Sequence, residues 1–363
     1  MRVLVNGLTS KFGGVESLFL SVLRNNNTDI TFDFICLDDS AANEEEFRSL
    51  GANIYYVTRF NRDRKKHKND LNFIFSKGYD IYHLNLTRYY VPEDIIIAKK
   101  YGCKVVLHSH SSRIYKSDSL KINLLRKVEF MAFKNYCISH SDKRIACNVS
   151  AGEYLFGKSE YDVIYNGIDY SRFSFNETNR SVIRRELSIS DRDFLIGHVG
   201  RFQDEKNQAF IVQLMSRLSK IDKKYKCVMV GDGPLLEHIK ELITTYKLKN
   251  QIILTGNRND VNRIYSAMDA FILPSRHEAL PLCLIEAQVN GLPCIKSINI
   301  TDEVDISRIK KLGIREKDID SWCNYIFNNN NLQRAESSTI DTRFSIDRFI
   351  TNLNNLYNVI TYK

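Results

Sequence analysis

Residues 273–295 read "LPSRHEALPLCLIEAQVNGLPCI". The stretch leaves one apolar run, "DAFILPS", crosses a polar loop, continues with helical spacing and ends in a second apolar run, "LPCI". Strand, loop, helix and strand in so short a span form the repeating unit of a parallel α/β sheet. Pro281 suits the first turn of the helix, where its missing N–H costs nothing. Leu282, Ile285 and Val289 then make a core-facing stripe at i, i+3 and i+7. Glu286 borders that stripe, and a carboxylate there is costly unless partnered. A buried ion pair, a flank reaching water, or an acceptor for the two neighbouring hydroxyls of a ribose would each account for it. Glu278 precedes the helix among backbone N–H groups that favour anions. It is either a plain helix-start acid or a ligand.

The same unit repeats outward along the chain. In the first half the strand candidates are "RVLVNG", "TFDFICL", "NIYYV", "DIYHLN", "KVVLHSH", "KRIAC" and "DVIYNG". After an irregular polar stretch a second series follows: "FLIGHVG", "YKCVMVG", "QIILTG", "DAFILPS" and "LPCI". We expect an α/β protein of two doubly wound, Rossmann-like domains, residues 1–168 and 169–343. The terminal segment places Phe344, Ile346, Phe349, Ile350, Leu353, Leu356 and Tyr357 on one helical face. A helix over 344–360 either caps the second domain or returns to the first, and we expect the return.

At 363 residues, 43% hydrophobic and 26% charged, the chain has the length and composition for two domains of a soluble globular protein. No apolar run reaches the roughly 18 residues that span a bilayer. The start, "MRVLVNGLTS", enters a strand-like run without the apolar region of a signal peptide. The expected location is the cytoplasm, with the inner face of the cytoplasmic membrane as the surface a peripheral form would meet. The eight cysteines are scattered without a CxxC pair, which predicts buried free thiols and excludes a disulfide framework. A formal net charge of +9 favours anionic partners without choosing among them. A nucleic-acid-binding protein is the non-enzymatic alternative. It is disfavoured because no zinc pattern, RNP-like strand or basic tail is present.

In the second series the special residues come directly after strands. "HVGRFQDEKN" supplies Arg201 and Lys206, "VGDGP" and "TGNRNDV" follow the next two strands, and "PSRHEALP" follows the fourth. Strands of a parallel sheet end on one edge, so these loops converge where open α/β sheets bind ligands. Arg201 and Lys206 suit a diphosphate, or else form a solvated surface pair. In the first series, "NGLTSKFGGVESLFL" passes from strand to helix through Gly13 and Gly14. This is either a backbone approach to phosphate or a plain tight turn, and it is not the GxGxxG fingerprint. His108 and His110 in "KVVLHSHSS" point the same way from a strand end and suit hydrogen bonding to a polar ligand.

"GRFQDEKN", "VGDGP", "LTGNRNDV" and above all "EALPLCLIEA" resemble the family 4 retaining glycosyltransferases of GT-B fold, in the branch of bacterial capsular and exopolysaccharide enzymes. "GGVE", "HSHSS", "RIACNVSAGEYLFG" and "VIYNGID" extend the resemblance over most of the chain. It implies two Rossmann-like domains facing across a cleft. Arg201 and Lys206 match the cations on the donor diphosphate, Glu286 the carboxylate on the ribose, and Glu278 the one beside the transferred sugar. The backbone of Ala279, Leu280 and Leu282 lies near sugar or phosphate, and Arg258 falls where the base is held by backbone contacts. Gly13 and Gly14 match the loop over the phosphates, and His110, rather than His108, matches the histidine facing the sugar. Ala279 departs from the family's usual glycine and is expected to alter the sugar pocket slightly.

The implied reaction moves a hexose-type sugar from a nucleotide diphosphate donor, a UDP-sugar in this branch, to a glycan or lipid-linked saccharide. It proceeds with retention, without metal or other cofactor, and serves surface polysaccharide synthesis. No second carboxylate for a double displacement stands out, which favours front-face attack. "DRD" at 191–193 precedes a strand and reads as a loop, not as a metal-binding DxD. A nucleotide-sugar epimerase of the same fold is the enzymatic alternative. The stretches 59–70 and 113–136 mix Lys and Arg with apolar residues, which suits either anionic lipid or a solvated helix packed on its own domain.

Overall fold

The computed structural model describes residues 1–363 apart from 12, 87–91, 111–127, 129–132, 279, 330–332 and 362–363. The site candidate Ala279 and most of the 113–136 stretch, including Ile122, Leu124, Leu125, Phe130 and Met131, lie outside the described residues. The chain divides into two compact units, Met1–Ile168 together with Phe344–Lys363, and Asp169–Arg343.

The first unit is built on seven parallel strands: β1 (Arg2–Leu8), β2 (Thr31–Cys36), β3 (Ile54–Tyr56), β4 (Ile81–Leu86), β5 (Lys104–Ser109), β6 (Lys143–Ala146) and β7 (Asp162–Val163). Their order is β3-β2-β1-β4-β5-β6-β7. All seven fall on runs read from the sequence, with β1 and β4 each running one residue past them, because parallel strands covered on both faces are largely apolar. The Ile346–Thr361 helix belongs to this unit. Ile346, Phe349, Ile350, Leu353, Leu356, Tyr357 and Ile360 enter the core that holds Val3, Val5, Phe19 and Phe34. Its entry is stitched by Ile168 N donating to Phe344 O at 2.7 Å and Ile346 N donating to Ile168 O at 2.9 Å.

The second unit has six parallel strands: β8 (Phe194–Val199), β9 (Tyr225–Val230), β10 (Ile252–Gly256), β11 (Ala270–Leu273), β12 (Cys294–Ser297) and β13 (Ile309–Leu312), ordered β10-β9-β8-β11-β12-β13. The doubly wound α/β class therefore holds in both units. β13, "IKKL", is absent from the sequence reading. It is an edge strand whose exposed Lys310 and Lys311 interrupt the apolar run, a common way to blunt a sheet edge. The direction of winding reverses between β8 and β11, so the loops after these two strands border the crevice of this sheet. The "DRD" residues 191–193 form the turn before β8, where Asp193 accepts from Ser190 N at 2.8 Å.

One detail of the Leu282–Val289 helix differs from expectation. Leu282 is only half-buried, and the core face is carried by Leu284, Ile285, Ala287 and Val289 with Gln288. Leu282 opens the first turn at the sheet edge, whereas Gln288 is buried at no net loss of hydrogen bonds. It donates to Leu284 O and Val304 O and accepts from Ile306 N and Ser307 N. All eight cysteines are free, seven buried and Cys283 half-buried.

Candidate functional site

The loop after β8 is held against the loop after β9 through backbone hydrogen bonds. Gly200 N donates to Val230 O, Phe202 N to Asp232 O and Leu235 N to Phe202 O, each at 3.0 Å. Such closeness requires the glycines of "VGDGP". A Cβ on Gly231, whose φ is +134°, would lie 2.3 Å from Gly200 O, and one on Gly233 would lie 2.4 Å from Phe202 O. The loop after β11 joins on the other side. Arg276 N donates to Glu205 O at 2.7 Å, and Asn207 Nδ2 donates to Pro274 O at 3.1 Å.

These bonds bring Lys206 and Glu278 together, with Nζ 2.7 Å from Oε1. The ammonium is the polar partner of this buried carboxylate oxygen. Gln208 Oε1, at the start of the helix after the first loop, and Ser275 Oγ, on the second loop, are buried without a hydrogen-bond partner. Native interiors rarely leave such groups unmet, so the two describe a pocket short of hydrogen-bond partners. Fully buried His198, beneath the loop, is kept neutral by burial, which lowers its pKa to about 4. Its Nδ1 lies 3.1 Å from Ile272 O and its Nε2 3.3 Å from Gln208 Nε2. Neither His198, inside an apolar run, nor Gln208, at the end of the polar stretch "DEKNQ", stood out in the sequence.

Glu286 answers the question posed by its position. Its Oε2 accepts from the hydroxyl of fully buried Tyr265 at 2.8 Å, and that hydroxyl lies 3.1 Å from Cys283 O. The carboxylate keeps an edge open to solvent although protein surrounds most of it. Burial raises its pKa to about 7, against the opposing pull of Tyr265, Arg172 and Lys206. Its partner is therefore a neutral hydroxyl and not a cation. Tyr265 lies in the Val261–Ala267 helix and carries no sequence signal apart from its apolar neighbours.

Lys206, Glu278 and Glu286 thus gather around the β8–β11 crevice. Arg201 stands on the same loop as Lys206 with its side chain exposed, while its carbonyl accepts from Gln208 Nε2 at 3.0 Å. Leu280 and Leu282 line the approach to the helix and are half-buried. The Arg258 guanidinium is committed elsewhere, donating to Asp260 at 2.8 and 2.9 Å and to Glu186 Oε1 at 2.5 Å. The two carboxylates hold its pKa above the ordinary range.

In the first unit, Gly13 and Gly14 are exposed at the start of the Gly14–Asn25 helix. Gly13 N already donates to Glu16 Oε2 at 3.1 Å, and Thr9 N donates to Glu16 Oε1 at 2.9 Å. A Cβ at Gly14 would meet nothing within 4 Å, so its bareness serves no packing contact. The His110 and His108 rings lie against each other with centroids 3.9 Å apart and planes tilted by 42°. His108 is fully buried, whereas His110 keeps partial exposure. A polar cavity of about 1340 Å³ opens beyond β1, β2 and β3, with Thr9, Ser10, Asp38, Tyr56 and Arg59 in its wall.

Two parallel, doubly wound units, the second with cation and carboxylates at its switch point, define a GT-B glycosyltransferase. The description "Glycosyl transferases group 1" matches residues 179–307. Residues 179–307 thus form a domain of that family. It is 29% identical over 327 residues to the putative glycosyltransferase EpsF of Bacillus subtilis strain 168, covering 86% of this chain and 84% of that one. It is 30% identical over 256 residues to the UDP-Gal:alpha-D-GlcNAc-diphosphoundecaprenol alpha-1,3-galactosyltransferase of Escherichia coli, covering 68% and 65%. Among solved structures, Anabaena Alr3699/HepE in complex with UDP and glucose superposes with a TM-score of 0.78 at 15% identity, over 99% of this chain and 100% of that one.

Proposed function

We propose that this glycosyltransferase moves a hexose-type sugar from a UDP-sugar to a hydroxyl of a glycan or lipid-linked saccharide, with retention and without a metal, in surface polysaccharide synthesis. The observation that carries the reading is the meeting of Lys206, Glu278 and Glu286 at the β8–β11 crevice. In it, Glu286 accepts the ribose hydroxyls, and Lys206 with Arg201 neutralises the diphosphate. Glu278 and the backbone of Leu280 and Leu282 border the sugar. The backbone around Arg258 holds the base. The named substrates of the Escherichia coli relative and the ligands of the Anabaena structure support the uridine donor and a lipid-linked acceptor. The polar cavity of the first unit suits a hydroxyl-rich acceptor.

No helix among the described residues is long and apolar enough to cross a membrane. Peripheral attachment draws support from the Arg64–Phe75 helix, where Arg64, Lys65, Lys66 and Lys68 are exposed. Phe73 is 63% exposed beside Lys77, whose Nζ lies 4.6 Å from the ring centroid. Cations next to an exposed aromatic ring suit anionic lipid, and flotation with anionic vesicles at low salt is the check.

Thermal shift with nucleotide diphosphates and nucleotide sugars in EDTA tests the donor site. A ligand that binds only the folded state raises Tm by mass action. UDP and UDP-sugars should do so without metal, and Lys206→Ala and Glu286→Ala should each abolish the shift while remaining folded. An undiminished shift in both variants refutes this site.

A further inference from the structure

Three strand ends of the first unit meet at one polar side chain that nothing above has used. Asn85, near the end of β4, donates from Nδ2 to Asn6 O of β1 at 2.9 Å. A carbonyl oxygen only accepts, so this bond fixes which way the carboxamide faces and leaves Oδ1 for its other neighbour. That neighbour is His110, whose Nε2 lies 2.7 Å from Asn85 Oδ1. A carboxamide oxygen also only accepts, so Nε2 carries the ring proton and Nδ1 is bare. Asn166 Nδ2 faces Nδ1 at a long 3.4 Å. Asn166 is 6% exposed, and its Oδ1 is buried without a partner. The space Asn85 occupies is set by Gly7, whose φ is +133° and on which a Cβ would stand 3.0 Å from Asn85 Cβ.

We propose that Asn85 is a positioning residue that holds His110 as the Nε2–H tautomer, so that Nδ1, with Asn166 Oδ1 beside it, accepts hydrogen bonds from sugar hydroxyls. An arriving hydroxyl takes over Nδ1 from the long Asn166 contact, and a second hydroxyl meets the unpartnered oxygen. The other groups around His110 leave it uncharged. His108 lies against it with a tilted ring, His83 lies behind with Nε2 3.1 Å from His108 Nδ1, and Phe349 and Tyr357 of the terminal helix flank these two rings. Burial alone lowers the His110 pKa to about 3, so the ring stays a neutral acceptor across the working range.

The role in turnover rests on the reading of His110 as the sugar-facing histidine, whereas the tautomer does not, so two measurements separate them. Long-range 1H–15N correlation spectra of the full chain with 15N-histidine, assigned with His110→Gln, should report Nε2–H at His110. An Nδ1–H signal overturns the proposal whatever the activity. Asn85→Asp places a carboxylate on Nε2–H, favours the imidazolium and turns Nδ1 into a donor facing a donor. Its kcat/KM should fall about tenfold at low pH, the loss expected for one hydrogen bond, through an ionisation absent from the parent. The donor KM should carry most of that change. A profile parallel to the parent's overturns the positioning role. If His110→Ala then also leaves turnover unchanged, the reading of His110 fails as well, and if it does not, only Asn85's part does.

Discussion

Glu286 joins stability and recognition in one carboxylate. With a pKa raised to about 7 by burial, it is half protonated in the free protein at neutral pH. Ribose hydroxyls donate, so they bind the ionised form and pull the bound-state pKa below the free-state value. The sign follows directly: protons are released on binding, affinity is full above about pH 7, and it falls as pH drops through that value. We expect the Kd for UDP to rise about tenfold per pH unit below 7, until the bound-state pKa is reached. Calorimetry at pH 8 and pH 6 in buffers of different ionisation heat checks both the affinity and the released proton, and a Kd unchanged between these pH values would contradict the ribose role. How far such residues were legible depended on their chemistry. Lys206, Glu278 and Glu286 are charged residues in or next to apolar runs and announce themselves. Tyr265, Asn85 and His198 act through one or two hydrogen bonds each, and their apolar neighbours hide them.

At the level of elements, the sequence disclosed strands well and their edges poorly. Twelve of the thirteen strands among the described residues fall on apolar runs of the sequence, with β1, β4 and β12 running one or two residues past them, because a doubly covered parallel strand is apolar along most of its length. β13 escaped because an edge strand needs only part of that pattern. The loops were legible as sites of glycine and charge, but not in how they are held. "VGDGP" reads as a loop following a strand, whereas Gly231 and Gly233 are needed to let the loop after β8 lie against it. Gly231→Ala is strained by φ and brings Cβ to 2.3 Å from a carbonyl, so the backbone from Gly200 to Lys206 must shift. We expect a cost of about 1–3 kcal/mol. Donor KM should rise at least as much as for Arg201→Ala, although Gly231 bears no side chain to touch a ligand. Equilibrium unfolding and steady-state kinetics on the same variant test this, and parent-like values of both would show that the close approach is not needed.

The first unit is discontinuous in sequence: Met1–Ile168 is completed by Phe344–Lys363, which the chain supplies only after the whole second unit. The Ile346–Thr361 helix contributes seven buried apolar side chains to that core, and the Tyr357 hydroxyl lies 2.6 Å from His83 Nδ1 in the buried network behind His110. At about 1.5–3 kcal/mol for each side chain, burial of this face is worth roughly 10–20 kcal/mol. A domain's entire stability is about 5–15 kcal/mol. The first unit should therefore be unable to hold its fold without the helix, whereas all six strands of the second unit lie within Asp169–Arg343. A chain ending at Arg343 should lose residues 1–168 to limited trypsin digestion and leave a protected fragment of the second unit. It should still show a UDP-dependent thermal shift, weakened by whatever Gly13 and Gly14 contribute, and no sugar transfer. A protected fragment spanning 1–168 in that chain would mean that the terminal helix covers a core already complete without it.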